Sequence, residues 1–409
     1  MKQSSPIKLF EPARHEPLVE LEWSDVQARR VIEKITSEAL EVFSDEKLFP
    51  AHPLDESDQK HLGSGHYMGA GGVLWAVGYL ARQDLVSIDE QWLVDCLTNL
   101  AGRFDQEAES LGHLGETTSF LFGELPVLLQ LLSLTGEPLW RARALTRIAS
   151  SEDDEVREMM WGTPGVLILT RLISDAKLAE DVVTHDAVNI AKLFDRWNHE
   201  HEGLYLWKEE LYGSHPLIVG AVHGFFGQVL PLLQRIDSLS DTLSSTVLQR
   251  TRDVLCQTAI RAPGLANWPV LAEDDGKDRD HLLHYCHGAP GVIISACDFP
   301  NGVDAEVDQL LVEGGELVWK AGPLVKGSNL CHGTTGNGYA FLKLFERTGD
   351  QLWLDRARGF AMHAIGQYEN VHRETGHGRF SLWTGDPGLA VFLNACLDAD
   401  ARFPTIDVF

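Results

Sequence analysis

Seven times along this chain a short glycine turn opens a run of mostly apolar residues. The copies begin at Gly69, Gly123, Gly162, Gly224, Gly288, Gly333 and Gly385, for example "GTPGVLILTRL", "GAPGVIISA" and "GDPGLAVFLNA". Their spacings are 54, 39, 62, 64, 45 and 52 residues. A length of 409 residues alone would suggest two or three domains. Repetition of one unit in one sense argues instead for a single repeat architecture.

Each copy follows one grammar. In three of them a proline (Pro164, Pro290, Pro387) precedes the second glycine. Proline is tolerated in a helix only near its first turn, so each apolar run starts a helix. The runs are apolar nearly all round, which requires burial on most sides. Between them lie amphipathic helices. In 348–365, Leu354, Ala357, Phe360, Ala361, Ala364 and Ile365 fall on one stripe behind Asp350, an N-cap residue type. Segments 24–43, 135–148 and 241–260 have the same period, and strand-like alternation is scarce.

Seven helical hairpins can form an open solenoid or close into a ring. A solenoid would leave one flank of each apolar helix on a concave surface. The inner runs are too apolar for that, so the sequence predicts an all-α, α/α toroid with seven inner and seven outer helices. Residues 1–55 are expected to be an N-terminal helical segment joining the outer ring, and 56–409 the catalytic domain. All the glycine turns then cluster at one mouth.

The net charge of −26, with no basic block, speaks against nucleic acid or an anionic membrane as partner. No apolar run reaches the ~18 residues of a membrane span. The N-terminal residues lack the apolar core of a signal peptide, so a cytoplasmic location is expected. In that compartment the six cysteines are expected to stay reduced.

Two of these cysteines hold equivalent repeat positions. "HYCHGAPGV" places Cys286, and "NLCHGTTGNGYAFL" places Cys331, directly before His-Gly. Cys286, Cys331 and His332 make a Zn2+ ligand set with a fourth position open, as in catalytic rather than structural sites. The other reading is two small buried cysteines packing helix ends. Such a metal lowers the pKa of an incoming thiol. Thiol alkylation or addition is therefore expected rather than hydrolysis.

Together, the seven glycine turns and the paired Cys-His-Gly motifs resemble the lanthionine synthetase C-like (LanC-like) family from about residue 60 to 400. The resemblance implies an α/α toroid with zinc held by Cys286, Cys331 and His332. It implies Michael addition of a thiol to dehydroalanine or dehydrobutyrine, giving a thioether. Bacterial cyclases use the peptide's own cysteine; eukaryotic-type members are associated with glutathione. By the same resemblance His223, in "GAVHGFFG", is the proton donor for the enolate α-carbon, and Glu158, in "EMMWGTPG", tunes it. Lys326, in "KGSNLCHG", would hold a carboxylate or stabilise the enolate; a plain surface lysine is the other reading. His287 would orient a neighbour rather than ligate.

One departure is visible. Bacterial cyclases tend to carry an arginine four residues before the first zinc cysteine and an aromatic directly before it; here those places hold Leu282 and Tyr285. With His287 in place of a tyrosine, this leans the chain toward the eukaryotic-like branch and glutathione. A dehydrated peptide or protein is the expected substrate, supplied by a separate dehydratase or kinase/lyase. Protein prenyltransferase β subunits share the toroid and a thiol-activating zinc but use an Asp ligand. A non-catalytic zinc- or glutathione-binding adaptor would have no need of His223.

Overall fold

A computed structural model describes residues 8–55, 63–111, 119–154, 158–208, 216–273 and 281–409. The expected boundary at 55/56 abuts 56–62, which lie outside the described residues. The seven apolar runs form the inner helices α2 (Ala70–Arg82), α4 (Leu125–Thr135), α6 (Thr163–Arg171), α9 (Phe225–Leu233), α11 (Ala289–Ala296), α13 (Thr334–Thr348) and α15 (Asp386–Asp398). Every residue of α9 and of α11 is buried, as all-round apolar helices demand. The outer ring comprises α1 (Asp25–Val42), α3 (Glu90–Leu111), α5 (Pro138–Ser150), α7 (Ala176–Asp181) with α8 (Val183–Arg196), α10 (Asp241–Gln257), α12 (Ala305–Ala321) and α14 (Gln351–Thr375). The stripe expected on α14 is buried, and Asp350 caps it by accepting from Leu352 N. The architecture is the α/α toroid read from the sequence.

Two details differ from seven plain hairpins. The outer helix that follows the third turn is broken into α7 and α8. Two antiparallel β-hairpins also appear, β1 (His199–His201) with β2 (Leu204–Leu206), and β3 (Ile260–Ala262) with β4 (Leu265–Asn267). In the first, Glu202 and Gly203 both have positive φ, 51° and 83°, as a tight two-residue hairpin loop requires. Three-residue strands carry too little alternation to be seen in sequence.

The ring is closed by a circuit of contacts between the turns. His66 N donates to Leu121 O at 2.8 Å, and Ser119 Oγ to Met160 O at 2.6 Å. Glu158 reaches His223, Ala221 N donates to Cys286 O at 3.2 Å, and Asn337 Nδ2 to Leu283 O at 3.0 Å. Cys331 N donates to Trp383 O at 2.9 Å and Trp383 N to Tyr67 O at 3.3 Å, returning to the first turn. All seven turns therefore lie at one end.

The second glycine of a turn is needed for close approach. A Cβ on Gly291 would lie 1.9 Å from Tyr285 O, and one on Gly336 2.0 Å from Leu330 O. The turn folds back over its own helix and satisfies the N-terminal donors that no side chain caps: Phe225 N donates to Ile218 O at 2.9 Å and Thr334 N to Gly327 O at 2.8 Å.

Both termini brace this frame. Helix α1 packs against α15 and α14. The preceding arm pairs with the loop before Cys331: Glu16 N donates to Pro323 O at 2.9 Å and Val325 N to Arg14 O at 3.1 Å. At the other end, buried Phe403 stacks on Tyr285 at 4.8 Å, and Lys343 Nζ, buried, meets Asp407 at 2.8 Å.

Candidate metal centre

Turn five holds Cys286 in a narrow loop. His284 N donates to His287 O at 3.0 Å and His287 N to His284 O at 3.1 Å. Gly288 follows with φ 93°, a conformation that favours glycine. In turn six, Asn329 Oδ1 accepts from His332 N at 2.9 Å and orients the Cys-His pair. The two turns bring Cys286 Sγ to 2.9 Å from Cys331 Sγ, and Cys331 Sγ lies 3.6 Å from His332 Nε2. Donors bound to one zinc at about 2.0–2.3 Å can be no more than about 4.6 Å apart. Both separations lie under that limit, the sulfurs standing closer than the roughly 3.8 Å of two tetrahedral thiolates at 2.3 Å, and the soft, mixed S/N set suits zinc.

The two thiols are unequal. Burial drives the Cys286 thiol well above its ordinary value, and its hydrogen bond to Cys331 adds to this. Burial also acts upward on Cys331, but hydrogen bonds from Cys286, His332 and Tyr67 outweigh it and hold that thiol well below. The N-termini of the inner helices, all at this end, add partial positive charge that favours thiolate.

His223 stands on turn four, which is bonded to turn five through Ala221. Its Nδ1 lies 2.9 Å from Glu158 Oε2, and Glu158 is fully buried. The other carboxylate oxygen, Oε1, accepts from Trp161 N. With Nδ1–H donated to the carboxylate, proton exchange would pass through Nε2. His287 lies between the two groups: burial, then the nearby charges of His223 and His332, push it down to about 4. Its Nδ1 has no hydrogen-bond partner and is packed against Gly220, where a Cβ would come within 2.5 Å. Lys326 is exposed on the loop before Cys331. Its charge is close enough to favour the Cys286 thiolate, against the larger effects of burial and Cys331.

Two residues that sequence reasoning passed over also reach the centre. Tyr67 donates its hydroxyl to Cys331 Sγ at 3.0 Å across 264 positions of chain. It stands two residues before Gly69, as Cys286 and Cys331 stand two before their glycines, so aligning the copies on the turn would have found it. His284, Cys286 and His332 each offer a donor atom within 4.8 Å of the others, a trio with His284 where the sequence expected Cys331. A groove of about 660 Å³ between β2 and α10, beside Tyr205 and Arg250, carries no cysteine or histidine and lies apart from this centre.

Comparison with known proteins agrees with the fold. The lanthionine synthetase C-like protein family matches residues 55–408. Glutathione S-transferase LANCL1 of Danio rerio is 34% identical over 208 residues, 50% of this chain and 48% of that protein. LanC-like protein GCL1 of Arabidopsis thaliana is 34% identical over 155 residues, 36% of this chain and 35% of that protein. The chain thus spans half or less of these relatives' length. Nisin cyclase shares the fold, with a TM-score of 0.63 and 16% identity over 92% of this chain and 99% of that one. The family match covers nearly the whole toroid, and the chain belongs to the lanthionine synthetase C-like family.

Proposed function

We propose that this protein is a zinc-dependent enzyme that adds a thiol to dehydroalanine or dehydrobutyrine residues of a peptide or protein. Cys286, Cys331 and His332 would hold the ion, which when bound supplies a thiol ionised near neutral pH. The carrying observation is a juxtaposition: two sulfurs from separate turns lie 2.9 Å apart, beside a turn bearing a histidine buttressed by a buried carboxylate.

The protein's own residues account for the rest of the reaction. Addition of sulfur at the β-carbon leaves an enolate, and His223 delivers a proton from Nε2 to the α-carbon. Glu158 holds the ring in the donating orientation. His287 orients a neighbouring side chain. Lys326 binds a carboxylate of the thiol or the enolate oxygen. Glutathione as the thiol draws support from the name of the Danio rerio relative and from Leu282 standing where an arginine is usual in cyclases. The adaptor reading leaves the His223–Glu158 pair without a purpose. A separate dehydratase or kinase/lyase supplies the substrate, and the reaction is placed in the cytoplasm. Residues 56–409 act as one catalytic domain.

The test is mass spectrometry of a dehydroalanine peptide incubated with the protein, with and without glutathione. A gain of one glutathione mass supports the reading. An unchanged mass with loss of the peptide's own free thiol redirects it to cyclisation. Neither change, in protein containing stoichiometric zinc, refutes it.

A further inference from the structure

We infer that Phe122 and Trp161 form a subsite for an apolar side chain flanking the dehydroamino acid of the acceptor. The inference deepens the reading above and rests on it: it states what the acceptor carries beside its reacting residue.

The observation is a row of rings along the mouth. Trp383 and Tyr67 stand two residues before Gly385 and Gly69, and Phe122 and Trp161 stand directly before Gly123 and Gly162. Four successive turns of the closed ring thus set an aromatic residue side by side. Centroids lie 6.1 Å apart from Trp383 to Tyr67, 5.5 Å from Tyr67 to Phe122 and 4.2 Å from Phe122 to Trp161. The last pair is parallel to within 6°. Trp383 and Tyr67 are buried, whereas Phe122 and Trp161 are only half-buried. Met68, next to Tyr67, is 44% exposed.

The row is tied to the candidate centre at two points. The Tyr67 hydroxyl donates to Cys331 Sγ at 3.0 Å. Trp161 N donates to one oxygen of Glu158, whose other oxygen lies 2.9 Å from His223 Nδ1. The ring pair is therefore continuous with the sulfurs and the proton donor, and is not a separate patch.

The acceptor's chemistry says what this surface would hold. A dehydroalanine side chain is a single methylene, and dehydrobutyrine adds one methyl, so the reacting residue offers little to grip. Sulfur and proton each approach across the plane of its double bond, which leaves those faces to the nucleophile and His223. Orientation then has to come from a neighbouring residue, through binding energy gained away from the reacting atoms. A flat, half-buried ring pair beside His223 gains most from an aromatic side chain, by burial and by ring stacking. An acidic side chain gains neither and meets a protein of net charge −26.

Calorimetric titration of the full chain with dehydroalanine peptides, in the absence of any thiol, tests this without a reaction. Phenylalanine, leucine, alanine or aspartate is placed in turn on either side of the dehydroalanine. The phenylalanine peptide should bind about tenfold tighter than the alanine peptide, with leucine between them and aspartate weakest. Trp161→Ala should bring the phenylalanine and alanine peptides level, and Trp161→Phe should keep the preference. With glutathione present, Trp161→Ala should raise KM for the phenylalanine peptide. Equal binding of all four peptides by the wild type, or a preference that survives in Trp161→Ala, overturns the inference. If thioether still forms, the reading above stands without it. Absence of any thioether from the zinc-containing protein refutes that reading, whatever the peptides' affinities. The wild-type series needs no variant, so misfolding of Trp161→Ala does not blunt the test.

Discussion

Turns four, five and six place His223, His287 and His332 directly before their first glycine; turns one, two and three place Met68, Phe122 and Trp161 there. The backbone does the same work in both groups. In each, the turn folds over the helix start, a second glycine or proline admits the close approach, and a neighbouring turn supplies a hydrogen bond. Only the side chains at the rim differ. The first group gathers imidazoles around two thiols. The second stacks Phe122 on Trp161 at 4.2 Å and leaves Met68 44% exposed. The lesson is that the scaffold repeats while the paired thiols and the imidazoles directly before the glycine are confined to three of its seven units. The halves meet where Glu158 of turn three reaches His223, where Tyr67 of turn one reaches Cys331, and where the Tyr285 hydroxyl of turn five reaches Met159 Sδ of turn three.

The comparison breaks most visibly at the sulfurs. Cys331→Ala should abolish stoichiometric zinc and thioether formation, whereas Trp161→Ala should leave the zinc content unchanged; elemental analysis of both proteins decides. Equal zinc loss in both would mean that the division of the mouth has no chemical content. Next in size is the proton donor. His223→Ala is expected to lower the addition rate by about 10²–10⁴-fold with zinc retained. Glu158→Gln should lose less, because it acts through the ring. An unchanged rate in His223→Ala removes the assignment.

The scaffold should ignore the division. Gly291→Ala, from the histidine group, and Gly165→Ala, from the aromatic group, would each set a Cβ within 2.3 Å of a backbone carbonyl. Each should cost about 1–3 kcal/mol in denaturant unfolding of the metal-free protein. A large cost in only one group would show that the frames are not equivalent. The smallest effect lies at turn seven, between the two groups. Burial, opposed by the Arg379 N–H and aided by the charge of Glu38, pushes the Asp386 carboxyl up to about 7. The folded protein then binds this proton more tightly than the unfolded chain. Its stabilising share is whole below the ordinary carboxylate range and is lost as pH rises toward 7. Asp386→Asn should flatten that part of the stability profile between pH 4 and 7, read by thermal unfolding.

Much of this was legible along the chain because its causes are local. An all-round apolar run after a glycine turn forms a helix that has to be buried, and Asp350 caps α14 wherever that helix sits. The equivalence of Cys286 and Cys331 follows from counting back from Gly288 and Gly333. The β-hairpins and the break between α7 and α8 were not legible, because segments of three to six residues carry too few turns of either period. Tyr67 was hidden by its type: a tyrosine beside a glycine turn looks like packing until Cys331 is known to lie against its hydroxyl. His284 was hidden by Cys286 and His287, which draw the eye in the same five residues.

What the amino-acid order settled by itself was the unit: where each helix begins, which face it buries, and which residues stand at the turn. Only the closed ring decided who meets whom. Closure joins turn seven to turn one through Trp383 N and Tyr67 O, and sets Glu158 beside His223 and Tyr67 beside Cys331. These pairs are 65 and 264 positions apart. No local preference can encode such a meeting; it arises when seven apolar helices bury one another and bring their N-terminal turns to the same rim.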